Sequence, residues 1–194
     1  MQPIDFLIAE HALIERMIAL MQQELSRIKS NMEVDREFAF VDPVFIDQAV
    51  DFLKTYADRG HHGKEEDILF AELARKSLSP EHSKLMQELI QEHAWGREAV
   101  AGLLKAKEGV LLDNPEALDD LLIRLGQLVE FYPRHIQKET AGLFFPCMAY
   151  FTDAEKKDMV ARMAEFDCQM IHQKYAALVE GIENRKSCRI EHGH

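Results

Sequence analysis

His61-His62-Gly63-Lys64-Glu65-Glu66-Asp67-Ile68-Leu69-Phe70 and His135-Ile136-Gln137-Lys138-Glu139-Thr140-Ala141-Gly142-Leu143-Phe144 share one phrase, His-x-x-Lys-Glu-x-x-x-Leu-Phe. In each copy a histidine precedes a glutamate by four residues. On a helix such residues lie on one face, one turn apart. An imidazole nitrogen and a carboxylate oxygen then reach the same metal ion. Two copies supply two imidazoles and two bridging carboxylates, a large part of a two-metal site.

The surrounding sequence reads as helix throughout. Leu7, His11, Ile14, Ile18, Met21, Leu25 and Ile28 form one apolar stripe at alternating spacings of four and three. A polar stretch, Ser30 to Asp42, reads as a loop. Asp42-Pro43 opens a second helix, with aspartate capping and proline at the first helical position. Its inward stripe is Ile46, Val50, Leu53, Ala57, His61, Glu65 and Ile68. Ser79-Pro80 opens a third, with Leu85, Leu89, His93, Gly96, Val100 and Leu103 inward. Asn114-Pro115 opens a fourth, with Leu118, Leu121, Leu125, Leu128, Tyr132, His135, Glu139 and Gly142 inward. Pro133 predicts a kink or local unwinding just before His135. Thr152-x-x-Glu155 is a capping box that starts a fifth helix over about 153–184. Residues 185–194 read as a flexible polar tail. The expected fold is all-α: an antiparallel four-helix bundle over about 4–148, an additional C-terminal helix outside it, and one domain over 1–184.

Composition narrows the function. The chain has 194 residues, 47% of them apolar, which suits one folded domain with a sizeable core. A net charge of −11 disfavours nucleic acid and anionic membranes as partners. The start, Met-Gln-Pro-Ile-Asp, lacks a signal-peptide pattern, and no apolar run approaches the ~20 residues that span a bilayer. Cys147, Cys168 and Cys188 form no CxxC pair. A cytoplasmic setting is expected.

Each of the first four stripes carries one histidine, His11, His61, His93 and His135, and two carry Glu65 and Glu139. Burying two uncompensated carboxylates costs several kcal/mol each, and metal cations would offset that. Four nitrogens and two oxygens suit two transition-metal ions, iron, manganese or zinc. An oxo or hydroxo bridge would leave each ion about five-coordinate, with an open position for a small ligand such as dioxygen. His62 and Glu66 are also four apart. Aligning the copies on Lys-Glu and Leu-Phe pairs His61 with His135, so His62 and Glu66 are placed outside the ligand set, beside it or at the surface. Arg97 and Tyr132 are further candidates for contact with the ligands. His172 is a weak extra-ligand candidate.

Glu10-His11, His61-His62-Gly63-Lys64-Glu65-Glu66, Glu92-His93-x-x-x-Arg97 and His135-Ile136-x-Lys138-Glu139 resemble the hemerythrin-like, or HHE cation-binding, family. The resemblance runs from about residue 4 to 148. It implies a four-helix bundle around a non-haem di-iron centre, with His11, His61, Glu65, His93, His135 and Glu139 in the ligand places. Oxygen-carrying members have a further histidine where this chain has Arg97, and end in HxxxxD rather than HxxxE. The set looks more like the regulatory and iron–sulfur-repair branches. The implied functions are binding or sensing of dioxygen, nitric oxide or peroxide, or iron handling. The alternatives are an enzyme that reduces or decomposes peroxide or nitric oxide, and an iron donor in iron–sulfur repair. The ligand helices carry HxxxE, unlike the ExxH of ferritin-like proteins.

Overall fold

A computed structural model describes residues 2–35, 39–166 and 169–191. Those residues are helical with short connections, and no strand occurs among them. Helix α1 is Pro3–Val34. Helix α2 covers 43–73 and contains two widened, π-helical stretches, Leu53–His62 and Glu65–Phe70. Helix α3 is Pro80–Leu111, and α4 covers 117–147 with a π-helical stretch at Lys138–Phe144. Helices α5, Asp153–Phe166, and α6, Gln169–Glu191, follow.

The helix starts are those that side-chain chemistry dictates. Asp42 accepts hydrogen bonds from the Val44 and Phe45 N–H groups at 3.0 and 3.1 Å. Ser79 Oγ accepts from the His82 N–H at 3.2 Å. The Thr152–Glu155 box closes both ways, at 2.8 and 3.3 Å. Other boundaries differ from the sequence reading. Helix α1 continues to Val34, into the expected loop. Asn114 caps a turn through the Glu116 N–H, and α4 starts only at Ala117. Pro133 sits within unbroken α-helix, and the irregular turn comes after His135. One lost N–H donor is tolerated where Leu128, Val129 and Tyr132 are packed in the core. The expected single C-terminal helix is described as α5 and α6, on either side of residues 167–168, and α6 runs to Glu191.

Helix α1 packs on α2 and α4, and α3 packs on α2 and α4. Helix α5 lies against α1 and the end of α2, and α6 against α1 and α2. Two apolar clusters fill the interior. One takes Leu13–Ile28 residues of α1, Phe45–Ala57 of α2, Ala99–Ala106 of α3 and Leu121–Ile136 of α4. The other takes Ile4 and Leu7, Ile68–Leu73, Leu89, and Leu143–Met148 with Met159 and Met163. Along α1 and α3 the chain passes from the second cluster to the first, and along α2 and α4 from the first to the second. On three helices, the polar interior residues 10–11, 61–65 and 93 fall between the two clusters. On α4, His135 sits beside Ile136 at the edge of the first cluster, and Glu139 lies between them.

Candidate metal centre

That polar layer is dry. Glu10, His11, His61, His62, Lys64, Glu65, His93, His135 and Glu139 are all buried, none more than 4% exposed. Unpaired, such groups would be costly. Their arrangement in two concentric sets accounts for them.

The inner set is imidazole Nε2 atoms around two carboxylates. Glu139 directs one oxygen to His11 Nε2 at 3.1 Å and the other to His135 and His93 Nε2 at 2.8 and 3.4 Å. Glu65 directs one oxygen to His61 Nε2 at 3.6 Å and the other to His93 Nε2 at 3.3 Å. Each carboxylate thus spans from one histidine group to another. Ligand atoms of His11, His61, Glu65 and Glu139 lie within 4.8 Å of one another, and so do those of His62, His93 and His135. Yet His61, His62 and His135 Nε2 and both Glu65 oxygens have no hydrogen bond despite full burial. Orphaned donors and acceptors that converge in this way are satisfied by a shared cation.

The outer set fixes four of the five rings through Nδ1, and His62 Nδ1 has no hydrogen bond. His61 Nδ1 meets Glu10 at 3.0 Å, His135 Nδ1 meets Glu92 at 2.8 Å, and His93 Nδ1 meets Glu66 at 2.7 Å. His11 Nδ1 meets Thr140 Oγ1 at 3.2 Å, and His62 Nδ1 lies 3.6 Å from Asp58. With Nδ1 occupied on the outside, Nε2 is the nitrogen left to face inward.

The repeated phrase now has a reason at every position. Lys64 binds Glu10, the partner of His61; Lys138 binds Glu92, the partner of His135. Leu69 and Leu143 are core residues. Phe70 stacks on His93 and Phe144 on His11, with ring centroids 6.0 and 5.6 Å apart.

All six expected ligand residues are brought together. His62, which the alignment of the copies placed outside, is buried with them, and its ring stacks on His93 at 3.9 Å. The cause is the π-helical stretch Leu53–His62. A π turn holds about one residue more than an α turn, so consecutive side chains diverge less. His61 and His62 can then both face inward. The only sequence signal for this was the double histidine itself. Glu66 and Arg97 take outer places: Arg97 binds Asp58 and Glu66, each at 2.7 Å, rather than a carboxylate of the expected ligand set. Tyr132 is buried beside this layer; burial first, then Asp58 and Glu139, push its hydroxyl up, so it stays a neutral phenol. His172 lies apart, its Nδ1 2.7 Å from Tyr56 Oη. A Cβ on Gly142 would sit 2.8 Å from Leu85, so close packing explains that glycine, whereas one on Gly96 would meet only Phe131 at 3.8 Å. Cys147 is buried, which pushes its thiol up to about 11 and makes it unreactive. Cys168 and the Cys188 side chain lie outside the described residues.

Electrostatics match this geometry. Burial pushes the His93 and His135 imidazoles down, but the Glu139 and Glu65 carboxylates outweigh it and bring them up to about 10 and about 9. Burial pushes Glu139 up, but His135, His11 and His93 bring it well below the usual carboxylate range. His62 is held well below the ordinary histidine value by burial and by neighbouring His93.

The family model of the hemerythrin HHE cation binding domain matches residues 2–144. No curated protein and no solved structure matches the chain significantly. No helix among the described residues is long and apolar enough to cross a membrane.

Proposed function

The chain belongs to the hemerythrin HHE cation-binding family, and from that premise we propose that it is a non-haem di-iron protein that binds or senses dioxygen, nitric oxide or peroxide, or handles iron. We read 1–184 as one domain whose four long helices form an antiparallel bundle. The alternating direction of the chain between the two apolar clusters supports this.

The observation that carries the reading is the orientation of five buried imidazoles. Every Nδ1 faces an outer oxygen, within hydrogen-bond reach for four rings and at 3.6 Å for His62. In this reading His62, His93 and His135 hold one ion and His11 and His61 the other, with Glu65 and Glu139 shared. His62 replaces the imidazole that oxygen carriers place where Arg97 stands. The pocket of His11 and His61 would then offer an ion two imidazoles, against three in the other. Imidazole with carboxylate suits iron, with manganese or zinc as substitutes. Bound there, the two ions would supply redox-active, Lewis-acidic positions for a small ligand. The protein's own share is to fix the direction of the imidazoles and exclude water. Phe70, Phe144 and the apolar clusters on both sides do the last.

The test is metal analysis of protein made in iron-replete cells, with optical spectra under air, nitric oxide and peroxide. About two irons per chain and a ligand-to-metal band are expected. His62→Ala is expected to lose about one of them, and His172→Ala none. Fewer than two metals in the wild type would sink the di-metal reading. Sustained consumption of peroxide or nitric oxide would show an enzyme instead of a binder.

Proton linkage gives a second check. His93 and His135 are raised from 6.5 to about 10 and about 9 in the metal-free protein. Their pairs with Glu65 and Glu139 therefore contribute stability fully below about pH 6.5, and lose it as pH rises through 9 to 10. Metal needs the neutral rings, so its apparent affinity runs the other way and rises across that window. Thermal melts of metal-free protein should fall between pH 7 and 10, and zinc added at pH 7 in weak buffer should release protons. Loading without proton release would contradict the assignment.

A further inference from the structure

The two halves of the site are related by an approximate twofold that the sequence shows position by position. Glu10-His11 on α1 matches Glu92-His93 on α3, and the two His-x-x-Lys-Glu phrases match on α2 and α4. Glu66 follows Glu65 and binds His93 Nδ1; Thr140 follows Glu139 and binds His11 Nδ1. Of the positions that break the symmetry, three lie beside one pocket. His62 stands where the other copy has Ile136, Glu66 where it has Thr140, and Arg97 stands one turn beyond His93 where α1 has Glu15.

Those residues are physically linked. Arg97 Nε reaches Asp58 Oδ1 and its Nη2 reaches Glu66 Oε1, each at 2.7 Å. Glu66 Oε1 is also 2.7 Å from His93 Nδ1, and Asp58 Oδ1 is 3.6 Å from His62 Nδ1. The His62 and His93 rings lie stacked, 3.9 Å apart and 8° from parallel. One guanidinium therefore holds both the hydrogen-bond partner of His93 and the carboxylate that lies 3.6 Å from His62 Nδ1. Its planar fork has fixed donor directions that one ammonium lacks. Among the described residues the opposite pocket has no such surface latch: His61 is braced by Glu10 and Lys64, which are buried, and His11 by Thr140.

Resting on the two-metal reading above, we infer that Arg97 is a positioning residue for the three-imidazole pocket alone, aligning His62 and His93 through Asp58 and Glu66. It touches no ligand and reaches the pocket from the protein surface, where its side chain is 41% exposed. The two ions are then held by independent outer structures, and one can be loosened without the other.

The experiment is stepwise titration of metal-free protein with Co(II), followed by visible absorption, and proton NMR of the loaded form. Arg97→Ala and Arg97→Lys are expected to weaken one of the two Co(II) ions by about 10–100-fold, the usual effect of losing an outer partner. The other ion should keep its affinity within about twofold. In NMR, the shifted, exchangeable Nδ1–H signals of the loosened pocket should broaden through solvent exchange, while that of His61 stays sharp. Glu66→Gln, which keeps the side-chain shape, should give part of the same split. The metal-free variants should melt close to the wild type, because the pair is exposed. Unchanged binding of both ions, or an equal fall in both, would overturn the inference. Wild-type protein taking up fewer than two Co(II) would instead overturn the two-metal reading, and this inference with it.

Discussion

Replacing Lys64 by alanine should destabilise the protein by about 3–5 kcal/mol, the usual cost of stripping one partner from a buried ion pair. The same change at Lys138, the equivalent residue of the second phrase, should cost about 1 kcal/mol or less. The difference is solvation. Lys64 and Glu10 are 0% and 3% exposed. Burial pushes the Glu10 carboxyl up, but His61 and Lys64 outweigh it and hold it below its usual range. Without Lys64 that carboxylate is left in a dry interior with less to balance it. The Lys138 side chain is 36% exposed and shares its charge between Glu88 and Glu92, both reached by water. For a domain of this size each kcal/mol moves the midpoint by about 2–4 °C. Lys64→Ala should therefore melt roughly 6–20 °C lower and Lys138→Ala within about 4 °C of wild type. Thermal denaturation of both variants, metal-free, decides it; equal losses would mean that the burial difference has no energetic weight. Metal affinity should fall in both, because each lysine holds a carboxylate that orients a ligand imidazole.

Glu139→Ala should have the largest effect on metal. Glu139 is, among the described residues, the one carboxylate that meets histidines from three helices, His11, His93 and His135. Its removal takes an oxygen from each pocket at once. Metal content is expected to drop from about two ions per chain to one or none, beyond the 10–100-fold cost of an outer-partner loss. The metal-free protein should also lose about 3–5 kcal/mol, since the imidazoles that Glu139 helps hold at about 10 and about 9 lose a buried counter-charge. Glu139→Gln keeps the volume and should give the same metal loss with a smaller stability loss. Elemental analysis after loading is the measurement. Two ions retained in Glu139→Ala would remove Glu139 from the ligand set.

The helices and the inward placing of His11, His61, Glu65, His93, His135 and Glu139 were legible because both rest on periodicity. An imidazole in phase with Leu7, Ile14 and Ile18 has to point where they point, and His11 does. Capping chemistry at Asp42, Ser79 and Thr152 is equally local, and it held. Pro133 misled because a local rule met a packed helix face that absorbs one missing hydrogen bond. The start of α4 slipped because Asn114 caps a turn as readily as a helix.

The sequence by itself determined the chelating pairs: a histidine and a glutamate four apart on a helix share a face whatever surrounds them. Tertiary structure alone decided three other matters. The π turns of α2 brought His62 inside, and no 3.6-residue period announces a π turn. Packing of α1 beside α2 made Lys64 a dry ion pair while Lys138 stayed wet, although the two lysines occupy the same place in the same phrase. The approach of α3 to α2 let Arg97 reach Asp58 and Glu66, residues far from it in the chain. Direction along one helix is a local property, but burial and cross-helix partners depend on which other helix lies opposite.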